Sequence, residues 1–444
     1  MKFRSMAAGA ACVMSLAGAT AAMAATHSQT HATSRTHATS HTHARSHSHA
    51  RSDTHARSHT HARAHAGFVA PTDSLRALAA KIGLRIGTAA NPDDLTTANL
   101  SAITSGQFSV LTPENAMKWQ VVEPEQGVFN WTDADNLVKY AEAHGQLVRG
   151  HTLMWHNQLP TWLTNGVAEQ NPDGTCSTGV TGCISDSQLL DLLHQHVTTE
   201  VSRYKGKIFE WDVANEMISD NGTGLNLTTD FWLSHVGLAG VADAFRWAHQ
   251  ADPHALLCYN DYNIAGEDGS NAKFTAAYNM IKGFLAEGVP ISCVGDQGHL
   301  DLQFGFNPNQ MTQDLHAYAA LGLKVAITEA DVRTWVDSAT TQNPIVGPVT
   351  VNGTTTTDTN PSHTTTTAEA SWYDEMLQSC LAVRSCLSFT VWGFDDSESW
   401  VPGTFAGEGS ADLYDVNLNP KPAYSALQQT LAAAAEAPKA FARR

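Results

Sequence analysis

The stretch Ile208-Phe209-Glu210-Trp211-Asp212-Val213-Ala214-Asn215-Glu216 opens as a largely apolar strand and closes on an amide and a carboxylate. Its first six residues, Ile208–Val213, have the character of a parallel strand buried on both faces. Seven other runs share that character: Leu84–Ala89, Phe108–Thr112, Gln146–His151, Leu256–Asn260, Ile291–Val294, Lys324–Thr328 and Leu387–Trp392. Helical patterns separate them. One is expected to be capped by Thr132, with Asp135 three residues on, to turn Leu137, Val138 and Ala141 inward, and to stop at Gly145. Another starts near Ser185, carries Leu190, Leu193, Val197 and Val201 on one side, and ends at Gly206. Eight β-α units in one domain predict an α/β fold of the (β/α)₈ TIM-barrel type. A doubly wound open sheet is the alternative, but no glycine-rich phosphate loop follows the first strand.

In such a barrel, chemistry sits at the C-terminal ends of the strands. Strand two runs into Thr112-Pro113-Glu114-Asn115-Ala116-Met117-Lys118-Trp119, and strand three ends in Arg149-Gly150-His151-Thr152-Leu153-Met154-Trp155-His156. Strand five ends in Asn260-Asp261-Tyr262-Asn263, and strand six leads into Asp296-Gln297-Gly298-His299. Strand seven leads into Thr328-Glu329-Ala330-Asp331, and strand eight into Trp392-Gly393. Seven strands converging on carboxylates, amides, imidazoles and indoles is hard to explain as packing, since such groups are costly to keep in a dry cleft. Taken singly, Glu216 or Glu329 reads as a salt-bridged barrel residue. Taken together they are the paired carboxylates that glycosidic cleavage needs: one protonates the leaving oxygen, and the other attacks the anomeric carbon or activates water. The surrounding indoles suit the apolar faces of sugar rings, with amides and charges for the hydroxyls.

Composition bounds the rest of the chain. Residues 1–24 read as a secretory signal peptide, with Lys2 and Arg4 before an apolar run and Ala22-Met23-Ala24 as a cleavage site. The run is too short and too rich in Ala and Gly for a permanent membrane span, so export is expected, to the extracellular space or the periplasm. Residues 25–66 repeat a Thr-His-Ala-Arg-Ser-His theme and hold eleven histidines and five arginines. With almost no large apolar residues, they read as a disordered linker or tail. Neutral imidazoles there would bind divalent metal loosely, and below about pH 6.5 the cationic tail would adhere weakly to anionic surfaces. No four-ligand spacing of the zinc-finger type occurs, so neither a structural nor a catalytic metal is expected.

Residues 67–444 read as one catalytic domain. The chain has 26 basic and 43 acidic residues, of which the first 66 positions take seven and one, leaving a formal −23 on the rest. Such a surface argues against nucleic acid as partner and suits a neutral polymer. Cys12 leaves with the signal, and the even remainder in an exported protein argues for three disulfides. The close pairs Cys176/Cys183 and Cys380/Cys386 suggest themselves, leaving Cys258 with Cys293. A metal site is the competing reading, without a Cys-x-x-Cys pair to support it. Residues 337–368, rich in Thr and poor in apolar side chains, read as a long exposed loop inserted after the seventh strand.

Over residues 74–432 the chain resembles glycoside hydrolase family 10, the β-1,4-xylanases. The motifs that carry this are Thr-Pro-Glu-Asn-Ala-Met-Lys-Trp, Gly-His-Thr-Leu-Met-Trp-His, Trp-Asp-Val-Ala-Asn-Glu, Ile-Thr-Glu-Ala-Asp and Val-Trp-Gly-Phe, with Ser399-Trp400 beyond. The resemblance implies that Glu216 is the acid/base, with Asn215 beside it on the sugar 2-hydroxyl. It makes Glu329 the nucleophile, oriented by His299, itself near Asp331. Glu114, Asn115, Lys118 and Gln158 match positions that bind xylose hydroxyls on the non-reducing side of the cut. His151, Trp155 and Gln297 match the wall of the reacting subsite, Trp392 and Trp400 its aromatic cover, and Tyr262 a stacking residue on the leaving-group side. Similar family members pair the positions of Cys258 with Cys293 and of Cys380 with Cys386. Ala116 and Gly298 stand where Glu and Ser are common, and neither change removes a catalytic group.

The function so implied is a secreted endo-1,4-β-xylanase acting on xylan or xylo-oligosaccharides with retention of configuration, as a monomer without cofactor. Retention requires carboxyl groups about 5–5.5 Å apart. A cellulase or mixed-linkage glucanase of the same clan is the nearest alternative, separable by rates on xylan and carboxymethylcellulose. A non-catalytic xylan-binding protein is a more distant one, opposed by the presence of both glutamates.

Overall fold

The computed structural model describes residues 70–219, 230–267, 271–351, 354–357 and 366–437, with side chains outside 348–357. The expected signal peptide and His/Arg-rich segment lie outside these residues. Eight parallel strands form the barrel: β1 (Arg85–Ala90), β2 (Val110–Pro113), β3 (Leu147–Gly150), β4 (Ile208–Asn215), β5 (Leu256–Asp261), β6 (Cys293–Asp296), β7 (Lys324–Trp335) and β8 (Cys386–Val391). They pair in chain order, and β8 closes the ring against β1, with Arg85 opposite Ser388 and Thr88 opposite Val391. Both faces of most strands are buried, one packed on the helices and one filling the barrel. The architecture is therefore the TIM barrel anticipated from the apolar runs.

β7 departs most from expectation. It runs to Trp335 rather than ending at Thr328 because partners outside the barrel satisfy its backbone. The short parallel strand His299–Asp301 pairs with Asp331–Arg333, and Glu408–Gly409 pairs antiparallel with Trp335 and Thr334.

The helix ends also refine the reading. The helix Thr132–Ala143 has Trp131, not Thr132, at its cap position, without a side-chain cap bond. Asn130 Oδ1 instead accepts the Thr132 N–H at 3.2 Å, and Asp133 and Asp135 face the positive end of the helix dipole. Leu137, Val138 and Ala141 are buried as expected. Ser185 does cap Asp186–Arg203, forming a reciprocal capping box with Gln188. On that helix Leu189 occupies the core, while Leu190 is only half-buried.

Within 337–368 the structure is more ordered than a plain loop. Pro348–Val351 and Thr354–Thr357 pair as an antiparallel hairpin, and Thr366 already belongs to the helix Thr366–Ala382. Thr is β-branched and favours extended backbone even where little can be buried, a preference that low apolar content conceals. All three disulfides form as paired in the sequence: Cys176–Cys183, Cys258–Cys293 and Cys380–Cys386. The second staples β5 to β6 at directly opposite positions. Among the described residues no helix is long and apolar enough to cross a membrane.

The barrel interior is partly charged. Arg149 on β3 is buried with its Nε 3.0 Å from Glu210 and its Nη2 in contact with Asp212 and 3.0 Å from Asn260 Oδ1. Buried charges persist only when paired, and here one guanidinium serves two carboxylates and an amide. β6 gives this cluster room: a Cβ on Gly295 would meet Asn260 Oδ1 and the Thr328 methyl.

Candidate active site

Above the charged layer, the end of β4 and the middle of β7 present Glu216 and Glu329. Glu216 follows the last residue of β4 with a left-handed backbone, φ 59°, and its side chain is half-buried. Its Oε2 accepts the Trp155 indole N–H at 2.6 Å. Its Oε1 accepts from Gln297 Nε2 at 2.9 Å and from Asn215 Nδ2 at 3.1 Å. All three donors are neutral.

Glu329 is buried within β7, and its surroundings differ. Oε1 accepts from Asn260 Nδ2 at 2.7 Å, and Oε2 lies 3.4 Å from His299 Nε2. On the other side of the imidazole, Nδ1 lies 2.8 Å from Asp331 Oδ2, which also accepts the Trp400 indole N–H at 2.8 Å. Burial opposes charge on His299, but the adjoining Asp331 carboxylate, aided by Glu329, outweighs it and lifts the imidazole to about 10. Burial alone would raise Glu329. The His299 hydrogen bond and the electrostatic pull of His151, His299 and Arg149 instead hold its carboxyl at about 2. Glu329 is thus a fixed carboxylate.

Asn260 at the end of β5 joins the two glutamates. Its Nδ2 donates both to Glu329 and to Asn215 Oδ1, the latter at 2.7 Å. Its Oδ1 accepts from Arg149 and, at 2.7 Å, from Thr328 Oγ1. Gln297 makes a second link, since its backbone carbonyl accepts the Glu329 N–H at 2.8 Å while its side chain holds Glu216.

The other anticipated residues form the flanks. Glu114, Asn115, Lys118 and Gln158 make one polar group: Gln158 Nε2 donates to Asn115 Oδ1 at 3.0 Å, and Lys118 Nζ lies 3.5 Å from the same oxygen. Lys118 is buried, 4.7 Å from the centre of the Trp155 ring and 5.9 Å from that of Trp392. Burial lowers its pKa, against the pull of Glu114, Glu329 and Glu216. Burial likewise raises Glu114, opposed mainly by Lys118. His151 sits edge-on to Trp392 at 5.1 Å, its Nδ1 2.9 Å from Asp212. Trp400 lies against the His299 ring at 5.0 Å. Tyr262, one residue past β5, lies over Lys273 Nζ at 3.3 Å from its ring centre.

Several residues of the site escaped the sequence reading. Asn91, after β1, donates to Glu114 at 2.7 Å and accepts from Asn115 at 3.2 Å. Asn260 and Asp212 stand in the quoted strand ends, but nothing in one sequence distinguishes an amide that joins Glu329 to Asn215 from one that caps a loop. Trp232, whose indole donates to the Trp155 carbonyl at 2.8 Å, lies beyond residues 220–229, and its partner cannot be read from spacing. Among the described residues, one group offers three metal-type ligands, Glu210 with Cys258 and Cys293. Its two sulfurs are joined to each other, so no thiolate is available.

The sequence model of glycosyl hydrolase family 10 matches residues 74–430. Endo-1,4-beta-xylanase B of Thermotoga neapolitana is 36% identical over 363 residues, covering 80% of this chain and 91% of that protein. The endo-1,4-beta-xylanase of Agaricus bisporus is 35% identical over 356 residues, covering 80% and 93%. Among solved structures, xylanase 10B from Thermotoga petrophila RKU-1 in complex with xylobiose superposes with a TM-score of 0.69 at 35% identity, covering 82% of this chain and 98% of that one. Native xylanase 10B from Thermotoga maritima gives 0.68 at 36%, covering 82% and 99%.

Proposed function

The chain belongs to glycosyl hydrolase family 10, and from that premise we propose that it is a secreted endo-1,4-β-xylanase working by double displacement between Glu216 and Glu329. Relatives of 34–36% identity are endo-1,4-β-xylanases, so the chain is a glycoside hydrolase of that type. The unequal surroundings of the two glutamates carry the assignment of roles. Glu329, held ionised near the floor of the site, attacks the anomeric carbon and forms the xylosyl-enzyme. Glu216, less buried and held by neutral donors, gives its proton to the departing oxygen and later takes one from the attacking water.

The remaining side chains follow from this division. Asn215, donating to Glu216 and receiving from Asn260, faces the sugar 2-hydroxyl. His299, held charged between Asp331 and Glu329, keeps the nucleophile ionised and oriented. Glu114, Asn115, Lys118 and Gln158 take the hydroxyls of xylose on the non-reducing side. His151, Trp155, Gln297, Trp392 and Trp400 enclose the reacting sugar, and Tyr262 stacks beneath the leaving group. Three disulfides fit an oxidising destination outside the cytoplasm. No step requires a metal or an organic cofactor.

Proton NMR of the first sugars released from xylohexaose tests the mechanism. The β-anomer is expected to appear first. Initial release of the α-anomer would overturn double displacement and recast Glu329 as a base acting on water.

A further inference from the structure

The left-handed backbone at Glu216 is an unusual place for a non-glycine residue, and such conformations persist only where their surroundings over-determine them. Here three consecutive amides, of Glu216, Met217 and Ile218, all donate to groups of β5. They reach the Asn260 carbonyl at 2.9 Å, the Tyr259 hydroxyl at 3.2 Å and Asp261 Oδ2 at 3.4 Å. The Tyr259 hydroxyl in turn donates to the same Asp261 Oδ2. On its other oxygen, Asp261 accepts the Tyr262 N–H at 2.9 Å and lies 2.9 Å from Lys273 Nζ. Lys273 belongs to the helix Ala272–Ala286, and its ammonium is the group over which the Tyr262 ring lies.

Tyr259, Asp261 and Lys273 are all fully buried, so none of them meets substrate. A buried ammonium is costly unless its partners are well placed. This one joins the carboxylate that anchors the turn after β4 to the ring one residue past β5. We propose that Tyr259, Asp261 and Lys273 are positioning residues for proton transfer: they hold the turn that aims Glu216 at the leaving oxygen and, through Tyr262, keep that turn in register with the leaving group. The proposal rests on the reading of Glu216 as the acid/base.

A leaving-group comparison separates this role from plain support of the barrel. Cleavage of 2,4-dinitrophenyl β-xylobioside needs no protonation of its leaving group, whereas cleavage of phenyl β-xylobioside does. General acid catalysis is worth about 10²–10⁴-fold, and an ångström of misplacement can cost about 10²-fold. In the full chain, Tyr259→Phe keeps the ring and removes the hydroxyl. It is expected to lower kcat/KM for the phenyl substrate about tenfold or more while changing that for the dinitrophenyl substrate less than about threefold. Lys273→Met is expected to act in the same direction, and Glu216→Ala to show the steepest contrast. Equal losses on both substrates in Tyr259→Phe, or no loss on either, overturn the proposal if Glu216→Ala still discriminates between them. If Glu216→Ala loses equally on both, the acid/base reading falls, and the proposal falls with it. Should Lys273→Met fail to fold, Tyr259→Phe decides the matter alone.

Discussion

Glu216, just past β4, and Glu329, midway along β7, share Asn260 and Gln297 as go-betweens and have opposite surroundings. Every donor to Glu216 among the described residues is a neutral N–H, from an indole and two amides. Glu329 lies deeper and leans on an imidazole that Asp331 keeps charged. The difference shows how one barrel gives two like carboxyl groups unlike surroundings. Burial by itself would push Glu329 toward the neutral form. A charged partner, itself held by a further carboxylate, reverses that tendency.

Removing the deeper carboxylate should have the largest effect. Glu329→Ala is expected to lower kcat on xylan by about 10⁴-fold or more, the scale seen when a covalent nucleophile is deleted. Reducing-sugar release within about a hundredfold of the parent would break the assignment of Glu329 and leave the asymmetry without a chemical purpose.

Next comes the group behind the histidine. Asp331→Asn removes the charge that lifts His299, so kcat should fall about 10²-fold and the alkaline limb of the activity profile should move to lower pH. Stability should follow. His299 is raised from 6.5 to about 10 in the fold, so its contribution is complete below about pH 6.5 and is lost as pH rises through about 10. The difference in Tm between parent and Asp331→Asn should therefore be widest in mildly acidic solution and narrow as the pH approaches 10. A pH-independent difference would mean that Asp331 acts by packing and not through the charge of His299.

The smallest effect is expected on the shallower side. Trp155→Phe keeps a ring beside Lys118 and deletes the indole donor to Glu216. The loss of one hydrogen bond to a carboxyl group, about 1.5 kcal/mol, corresponds to about tenfold in kcat/KM on xylan. A loss as large as that of Asp331→Asn would show that the two glutamates depend equally on their neighbours, and the contrast between them would disappear.

Much of this was legible beforehand, for identifiable reasons. Seven of the eight strands end within two residues of the runs read from the sequence, because parallel strands buried on both faces leave continuous apolar stretches. β7 was read short, since its extension is held by partners far along the chain, at 299–301 and 408–409. Thr132 does not cap its helix because capping depends on a backbone angle, and the neighbouring Asn130 is just as good an acceptor. The anticipated site residues lie along the strand ends because barrel closure gathers those ends. Asn91, Asn260 and the Asp261–Lys273 pair were missed because their importance lies in what they touch.

The amino-acid sequence by itself determined the eight-fold alternation, the paired glutamates, the family and the cysteines available for pairing, all of which reside in residue type and spacing along the chain. Only the tertiary structure decided that Asn260 links Glu329 to Glu216 through Asn215, that His299 is held charged between two carboxylates, and that Glu216 rides on a turn clamped to β5. Those properties depend on distance and burial across strands separated by tens of residues, and a hydrogen bond or an ion pair acquires its strength from the partner and the solvent exclusion that folding supplies.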